Sequence, residues 1–226
     1  MQSGEGELIE IYYETGRAGG LIHCPEVLVP APGQYLLAAP ISGTAIPAIL
    51  PIAIFPAGPA ENGFLAAASL PEGWEPGMQL ALRGPLGRGF RLPDERRRVA
   101  LIAWDHSPAC LLALLPQAMA QGAEVTLVCT DSPLDLPVEV EIQPLAALEE
   151  IFKWADFLAI DIEREALSNL QKRLEKMQRI EAQVLVHTEM PCGALAECGV
   201  CAVNAHHGWK LACKDGPVFD LRELGD

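Results

Sequence analysis

Short apolar runs, each bounded by proline, glycine or other turn-forming residues, fill the chain up to about residue 95. The first run begins with alternating apolar and polar residues, which is the period of a half-buried strand. Several short strands at this spacing are typical of a small antiparallel barrel or sandwich. The predicted strands span residues 6–15, 26–29, 32–39, 48–55, 63–69 and 77–82.

The pattern changes in the second part of the chain. A continuous apolar run at 98–104 is typical of a strand buried on both faces of a parallel sheet. A helix is predicted over 107–121, with Ser107 at its N-cap, Pro108 at its first position and Gly122 beyond its end. Such strand–helix–strand alternation predicts an α/β unit with a parallel sheet. Its other predicted elements are strands at 124–129, 157–161 and 182–187 and a charged helix at 163–178.

A cysteine-rich segment follows the last predicted strand. Its spacing is C-x5-C-x2-C-x11-C, formed by Cys192, Cys198, Cys201 and Cys213. Plant-type 2Fe–2S ferredoxins use C-x4-C-x2-C and a distant fourth cysteine, so the spacing indicates a 2Fe–2S site with one extra residue in the first gap. A structural zinc site, and disulfides or free thiols, are the alternatives. Zinc sites usually show two close ligand pairs, whereas this segment has one.

Composition narrows the classes of function. The 226 residues carry a formal net charge of −14, which argues against nucleic acid as a partner, because phosphate binding needs clustered lysine and arginine. The basic run at 96–98 is interpreted as a solvated turn, with a contact to a cofactor phosphate or a partner as the alternative. The apolar stretch at 35–55 is broken by prolines, so no membrane span is predicted. The remaining cysteines, Cys24, Cys110 and Cys129, fit a reducing cytoplasm. No secretory leader is recognised.

Three motifs carry a resemblance to a known family. The chain has PGQY at 32–35, GPLGRGF at 84–90 and, most specifically, a segment with an MPCG opening, a CGVC pair and a CKDGPVF end. The chain thereby resembles the electron-transfer subunits of type B dihydroorotate dehydrogenases, which are ferredoxin-reductase-like flavoproteins. The resemblance implies a flavin-type β-barrel domain at 1–95, a Rossmann-like α/β domain at 96–188 and a 2Fe–2S cluster-binding domain at 189–226.

The resemblance also implies a route for electrons. In that family electrons pass from NADH to FAD in the barrel, then to the 2Fe–2S cluster, and on to FMN in a catalytic partner of pyrimidine biosynthesis. The implied partner of this chain is therefore a flavin-containing catalytic subunit, such as dihydroorotate dehydrogenase, in a cytoplasmic hetero-oligomer.

The chain departs from the family where cofactors bind. The family's FAD motif is R-x-[YF]-[ST], and the aligned residues here are Leu50, Pro51, Ile52 and Ala53. An apolar side chain cannot replace a charge-assisted bond to phosphate. The turn at 103–108 also lacks the glycines that let a backbone approach a dinucleotide. The sequence therefore leaves FAD binding doubtful and argues against NAD(P) at the family's usual place.

Two functional hypotheses follow. The first is a 2Fe–2S electron-transfer subunit that exchanges electrons with a flavin-containing partner oxidoreductase, rather than a catalyst acting alone. The alternative is a non-catalytic structural or redox-sensing subunit whose metal only orders the C-terminal loop. Other candidate residues receive structural interpretations. Asp105, His106 and Ser107 are interpreted as a capping turn, His187 as structural, His206 and His207 as a hairpin turn, and Leu195, Val200 and Trp209 as cover for the cluster.

Overall fold

The computed structural model describes residues 2–14, 17–41, 50–67, 70–133, 136–174 and 181–225. The first part of the chain forms a curled antiparallel sheet with the strand order β4-β3-β7-β1-β2-β6-β5. The predicted class of small antiparallel barrel is thus confirmed. The strands are β1 (Gln2–Glu14), β2 (Arg17–His23), β3 (Tyr35–Pro40), β4 (Ile52–Ile54), β5 (Pro56–Ala60), β6 (Gly63–Ala66) and β7 (Met78–Leu86).

Some details of this sheet differ from the prediction. Residues 26–29, predicted as a strand, form a 3-10 helix (Glu26–Leu28), because the backbone N–H of Leu28 donates to the carbonyl of Pro25 at 2.8 Å. The unpredicted β5 contains two prolines, which a sheet tolerates because β5 lies at its edge. The predicted strand positions that lie outside the described residues are 15, 48–49 and 68–69.

The second sheet contains the predicted parallel strands. Its order is β10-β9-β8-β11-β12-β15, and every neighbouring pair is parallel except β12 with β15. The α/β class is confirmed, and β11 is two residues longer than predicted. The strands are β8 (Arg98–Trp104), β9 (Glu124–Val128), β10 (Val140–Gln143), β11 (Phe157–Glu163), β12 (Glu181–His187) and β15 (Val218–Asp220).

The helices are shorter than the sequence pattern suggests. The single helix predicted over 107–121 is two helices, because the chain turns after α1 and restarts with Pro116 in the first turn of α2. The helix predicted at 163–178 begins only after a 3-10 turn, and its predicted positions beyond 174 lie outside the described residues. The helices are α1 (Ala109–Leu112), α2 (Leu115–Ala120), α3 (Leu148–Trp154), α4 (Leu167–Leu174) and α5 (Ala212–Asp215).

The C-terminal segment packs against both sheets. It forms the hairpin β13 (Ala202–Ala205) and β14 (Gly208–Leu211), then α5, and then β15 at the edge of the second sheet. One hydrophobic core joins Tyr35 of the first sheet, Leu101 of the second and Cys213 of this segment. The domain boundaries after 95 and 188 stay a prediction. No helix within the described ranges has the length and apolar character that a membrane crossing needs.

Candidate cluster site and adjoining cavity

The four cysteines singled out by their spacing come together beside the second sheet. They lie in different local structures: Cys192 follows β12, Cys198 lies in the next loop, Cys201 precedes β13 and Cys213 lies in α5. The sulfurs of Cys192 and Cys198 are 3.8 Å apart, and the Cys213 thiol interacts with those of Cys192 and Cys201. Two thiolates on one tetrahedral metal, each bonded at about 2.3 Å, also lie about 3.8 Å apart. The four thiols therefore suit a metal or cluster held entirely by sulfur.

The four thiols differ in exposure. Cys201 and Cys213 are each 1% exposed, whereas Cys192 is half-buried and Cys198 is exposed. Burial, and then the Cys201 thiol, raises the pKa of Cys213 to about 12. Backbone hydrogen bonding at Ala196 lowers the pKa of Cys192. A metal bound by Cys213 would therefore have to displace its proton, and the edge at Cys198 is open to an approaching molecule.

Residues of the first sheet hold the cysteine loop in place. The guanidinium of Arg83 donates to the carbonyls of Cys192 at 2.9 Å and Gly193 at 2.8 Å. The buried hydroxyl of Tyr35 donates to the carbonyl of Cys213 at 3.1 Å. Gly193 has φ +48°, and a Cβ there would overlap both Arg83 and the side chain of Leu37. The loop therefore depends on contacts from strands far away in sequence.

Exposed apolar side chains surround the cysteine loop. Leu195 is 68% exposed and Val200 is 42% exposed, and both flank Cys198 in the sequence. Trp209, on the hairpin, is 71% exposed and lines a shallow depression with Gly199. These side chains were expected to cover the cluster, which stays a prediction, and all three expose apolar surface to solvent. We call the three residues Leu195, Val200 and Trp209 the apolar rim.

A cavity of about 790 Å³ lies beside the cysteine loop, which is within the usual size range of cofactor and ligand sites. One wall contains the four residues aligned with the family's FAD motif, Leu50, Pro51, Ile52 and Ala53. The opposite wall comes from the carboxyl ends of β8, β11 and β12, and residues 188–191 connect it to the cysteine loop. The motif position therefore faces a cavity, as the resemblance implies.

The charge of the cavity lining is unsuited to a diphosphate. Among the described residues that line the cavity, Arg164 is the one arginine or lysine, whereas Glu163, Glu165 and Glu189 contribute three carboxylates. Leu50, which the sequence resemblance aligns with the family's arginine, has a side chain that cannot make a charge-assisted hydrogen bond. The residues present therefore do not fit an FAD held in the family's way.

Two histidines and a buried aspartate meet at the cavity wall. Nε2 of His187 lies 2.6 Å from Oδ1 of Asp161, and Nδ1 of His106 lies 3.8 Å from the same oxygen. Nε2 of His106 lies 3.1 Å from Oε1 of Glu163, and the two imidazole rings stack with centroids 4.5 Å apart. Burial, and then the Asp161 charge, raises the pKa of the Cys110 thiol well above its usual range. Sequence analysis missed this group because its members are far apart in the chain.

Comparison with known proteins identifies the cysteine segment. Residues 187–225 match the family model of the iron-sulfur cluster binding domain of dihydroorotate dehydrogenase B. A curated relative, the electron transfer subunit of dihydroorotate dehydrogenase B (NAD(+)) from Desulforamulus reducens, is 27% identical over 175 residues. The alignment covers 64% of this chain and 65% of the relative, just under two thirds of its length. The resemblance predicted from the motifs is confirmed.

Solved structures share the fold. The NADH-dependent reduced ferredoxin-NADP oxidoreductase aligns with a TM-score of 0.76 and 17% identity, over 97% of this chain and 89% of that chain. The ferredoxin reductase in carbazole 1,9a-dioxygenase aligns with a TM-score of 0.59 and 16% identity, over 79% and 67%. The ferredoxin-NADP+ reductase from Plasmodium falciparum aligns with a TM-score of 0.58 and 12% identity, over 81% and 95%. At these identities the likeness shows a ferredoxin-reductase-like fold.

The remaining candidate residues have structural roles. In the basic run, Arg96 pairs with Glu181 and Arg98 with Asp156, both at 2.6 Å, which fits the interpretation as a solvated turn before a strand. The hydroxyl of Ser107 accepts the backbone N–H of Ala109 at 3.3 Å, which fits the predicted capping turn. His206 and His207 form the turn between β13 and β14, as predicted: the hairpin is closed by pairing of Ala205 with Gly208.

Proposed function

We propose that Cys192, Cys198, Cys201 and Cys213 hold a 2Fe–2S cluster, and that the protein exchanges electrons with a flavin-containing partner oxidoreductase. The observation that carries this proposal is the gathering of four thiols within the segment that matches an iron–sulfur domain. A bound cluster of this kind supplies one-electron chemistry. The C-x5-C-x2-C spacing, close to that of plant-type ferredoxins, supports the 2Fe–2S type.

The chain's own residues would position the cluster and limit its contact with water. Arg83 and Tyr35 fix three carbonyls of the cysteine segment, so the four sulfurs are arranged before the metal binds. The core around Cys201 and Cys213 excludes water from the inner side. A low-dielectric inner side and backbone hydrogen bonds to the sulfurs are two of the means by which proteins set a cluster's potential.

The partner would dock at the apolar rim. Leu195, Val200 and Trp209 expose apolar surface around Cys198, the thiol of the four that is most open to solvent. Aromatic side chains are enriched at protein interfaces, where burial excludes water around the contact. Because the curated relative is named as an electron transfer subunit of dihydroorotate dehydrogenase B, a dihydroorotate dehydrogenase catalytic subunit is the first candidate, in a hetero-oligomer.

A second candidate function is a structural or redox-sensing subunit without turnover of its own. The observation in its favour is the cavity wall, where Leu50 and three glutamates replace the cationic environment that a flavin diphosphate requires. In that case a metal in the cysteine loop would only stabilise the hairpin and α5.

Anaerobically purified protein distinguishes these functions by its ultraviolet–visible spectrum and its iron, zinc and flavin contents. About two irons per chain, with a spectrum that bleaches on reduction, would support the electron-transfer proposal. Flavin bands in addition would mean that other contacts hold FAD, and their absence would mean a relay fed by its partner. Zinc in place of iron would overturn the proposal and favour the structural subunit.

A further inference from the structure

Three neighbouring parallel strands bring metal-ligand side chains to one end of the second sheet. His106 follows β8, Asp161 lies in β11 and His187 ends β12, and these strands are adjacent in the order β8-β11-β12. One nitrogen of each histidine and one oxygen of Asp161 all lie within 4.8 Å of one another. Carboxyl ends of parallel strands are where α/β proteins place ligand sites.

The buried carboxylate in this group needs a positive partner. Asp161 is 0% exposed, and the buried Cys110 thiol interacts with it. Among the described residues, no hydrogen bond of good geometry reaches either of its oxygens. The contacts of 2.6 Å to His187 and 3.8 Å to His106 bring nitrogen atoms close to it. A buried charge is costly unless a proton or a metal ion neutralises it.

Both ring nitrogens of His106 also lie close to oxygen atoms that accept hydrogen bonds. Its Nε2 lies 3.1 Å from Oε1 of Glu163, and its Nδ1 lies 3.2 Å from the carbonyl oxygen of Ser107. In protein metal sites, a histidine ligand usually donates its second ring N–H to a carboxylate or carbonyl. Glu163 is placed to orient His106 in this way. Nδ1 lies 3.8 Å from Oδ1 of Asp161, and binding a metal would take it from its contact with the Ser107 carbonyl.

We propose that His106, Asp161 and His187 bind one first-row divalent metal ion, with open coordination positions facing the cavity. Two histidines and one carboxylate form a ligand set typical of catalytic zinc and of non-haem iron(II). Ligand atoms at about 2.0–2.2 Å from a metal lie about 3–3.5 Å apart, so small side-chain shifts complete the site. The buried hydroxyl of Thr188, without a hydrogen-bond partner among the described residues, also belongs to the cavity lining and could hold a metal-bound water.

This site is independent of the cysteine loop and does not rest on the proposed electron transfer. Its ligands are nitrogen and oxygen atoms, whereas the loop offers sulfur. In full-length, iron-loaded protein, the zinc content therefore reports on the histidine–aspartate site and the iron content reports on the cysteine loop. The protein is stripped with a chelator that leaves the iron in place and is then titrated with zinc, with both metals counted per chain. X-ray absorption at the zinc edge gives the ligands.

We expect about one zinc per chain beyond the iron, with imidazole and oxygen ligands near 2.0–2.1 Å. His106→Ala and His187→Ala should each weaken zinc affinity at least tenfold, and Glu163→Gln about tenfold through loss of orientation. His207→Ala, on the exposed hairpin, should bind zinc like the wild type. Unchanged iron content and melting temperature show that each variant is folded, and Asp161→Asn serves as a variant of conserved volume.

Three results would overturn the site. They are zinc with two or more sulfur ligands at about 2.3 Å, as only the cysteine loop could supply, no zinc bound by the wild type, and undiminished zinc affinity in folded His187→Ala and Asp161→Asn variants. In the last two cases the histidines and Asp161 would share protons rather than a metal. The last two results leave unchanged the iron content by which the cysteine site is judged, whereas zinc on the loop sulfurs would lower it.

Discussion

Arg83 links two distant parts of the chain with two hydrogen bonds, to the carbonyls of Cys192 and Gly193. Hydrogen bonds from a charged donor each contribute about 1.5–3 kcal/mol when they are shielded from water. Arg83→Met should therefore lower the free energy of unfolding by about 2 kcal/mol and shorten the lifetime of the bound cluster in air. The measurement is denaturant unfolding together with loss of visible absorbance.

Arg91→Met is the matched control, because Arg91 is exposed and its backbone, rather than its guanidinium, forms the hydrogen bonds with Gln183. Equal stability and equal cluster lifetime in the two variants would contradict the role given to Arg83.

The exposed Cys198 and the buried Cys213 should respond differently to replacement by serine. Both variants lose a sulfur ligand, so both should fall well below the iron content of the wild type. Cys213 is 1% exposed, so Cys213→Ser also places a hydroxyl in the core and should lower the melting temperature of the metal-free protein. Metal analysis and thermal unfolding test both points. Cys24→Ser, far from the loop, should keep its iron, and loss of iron there would point to general instability.

At the scale of the elements, the cysteine loop uses glycines in two different environments. Gly193 and Gly199 both have positive φ, at +48° and +77°. A Cβ on Gly193 would overlap Arg83 and Leu37, whereas a Cβ on Gly199 meets nothing within 4 Å. Gly199→Ala should cost only the backbone strain of about 1 kcal/mol, and Gly193→Ala should cost more and release iron. The iron content and the free energy of unfolding are measured for both variants side by side. Equal values in the two variants would refute the special role of Gly193.

The strand β4 lines the cavity, and the sequence resemblance aligns residues 50–53 with the family's FAD motif. Leu50, just before it, is 69% exposed, so a longer polar side chain fits without disturbing the core. Leu50→Arg would add a guanidinium facing the cavity and should strengthen FAD binding about tenfold, the equivalent of one charge-assisted hydrogen bond. Flavin fluorescence titration measures the affinity. Leu65→Arg, on the outer side of β6, controls for net charge, and equal FAD affinity in both variants would argue against a role for the missing arginine.

The elements that the sequence predicted best are two strands of the second sheet that contain runs of buried residues. The continuous apolar run at 98–104 became β8, and the run at 182–187 became β12 with one more residue. Helix lengths were overestimated, because the predicted helix at 107–121 is broken near Pro116 by packing that periodicity does not record. The strand β10 and the helix α3 went unpredicted. Only Val140 of the four residues of β10 is buried, and α3 is seven residues long, although Leu148, Ile151 and Phe152 follow helical spacing.

At the scale of the whole molecule, the site depends on which strands become neighbours. The cysteine site could be predicted from the sequence because its four proposed ligands all lie within one segment, at 192–213. The group of His106, Asp161 and His187 could not be predicted in this way, because its members meet only when β8, β11 and β12 pair in that order. The hydrogen bonds by which Arg83 and Tyr35 hold the cysteine loop could not be predicted either, since they cross from the first sheet to the C-terminal segment.

The most direct test of the central claim is electron paramagnetic resonance of the anaerobically purified, chemically reduced protein, with spins and iron counted in the same sample. A 2Fe–2S cluster held by Cys192, Cys198, Cys201 and Cys213 predicts about one spin for about two irons per chain. Cys198→Ser should lose most of that signal, and Cys24→Ser should keep it. An iron-containing wild type without a reducible signal, or a wild type that carries zinc instead of iron, would contradict the assignment of this protein as an electron carrier.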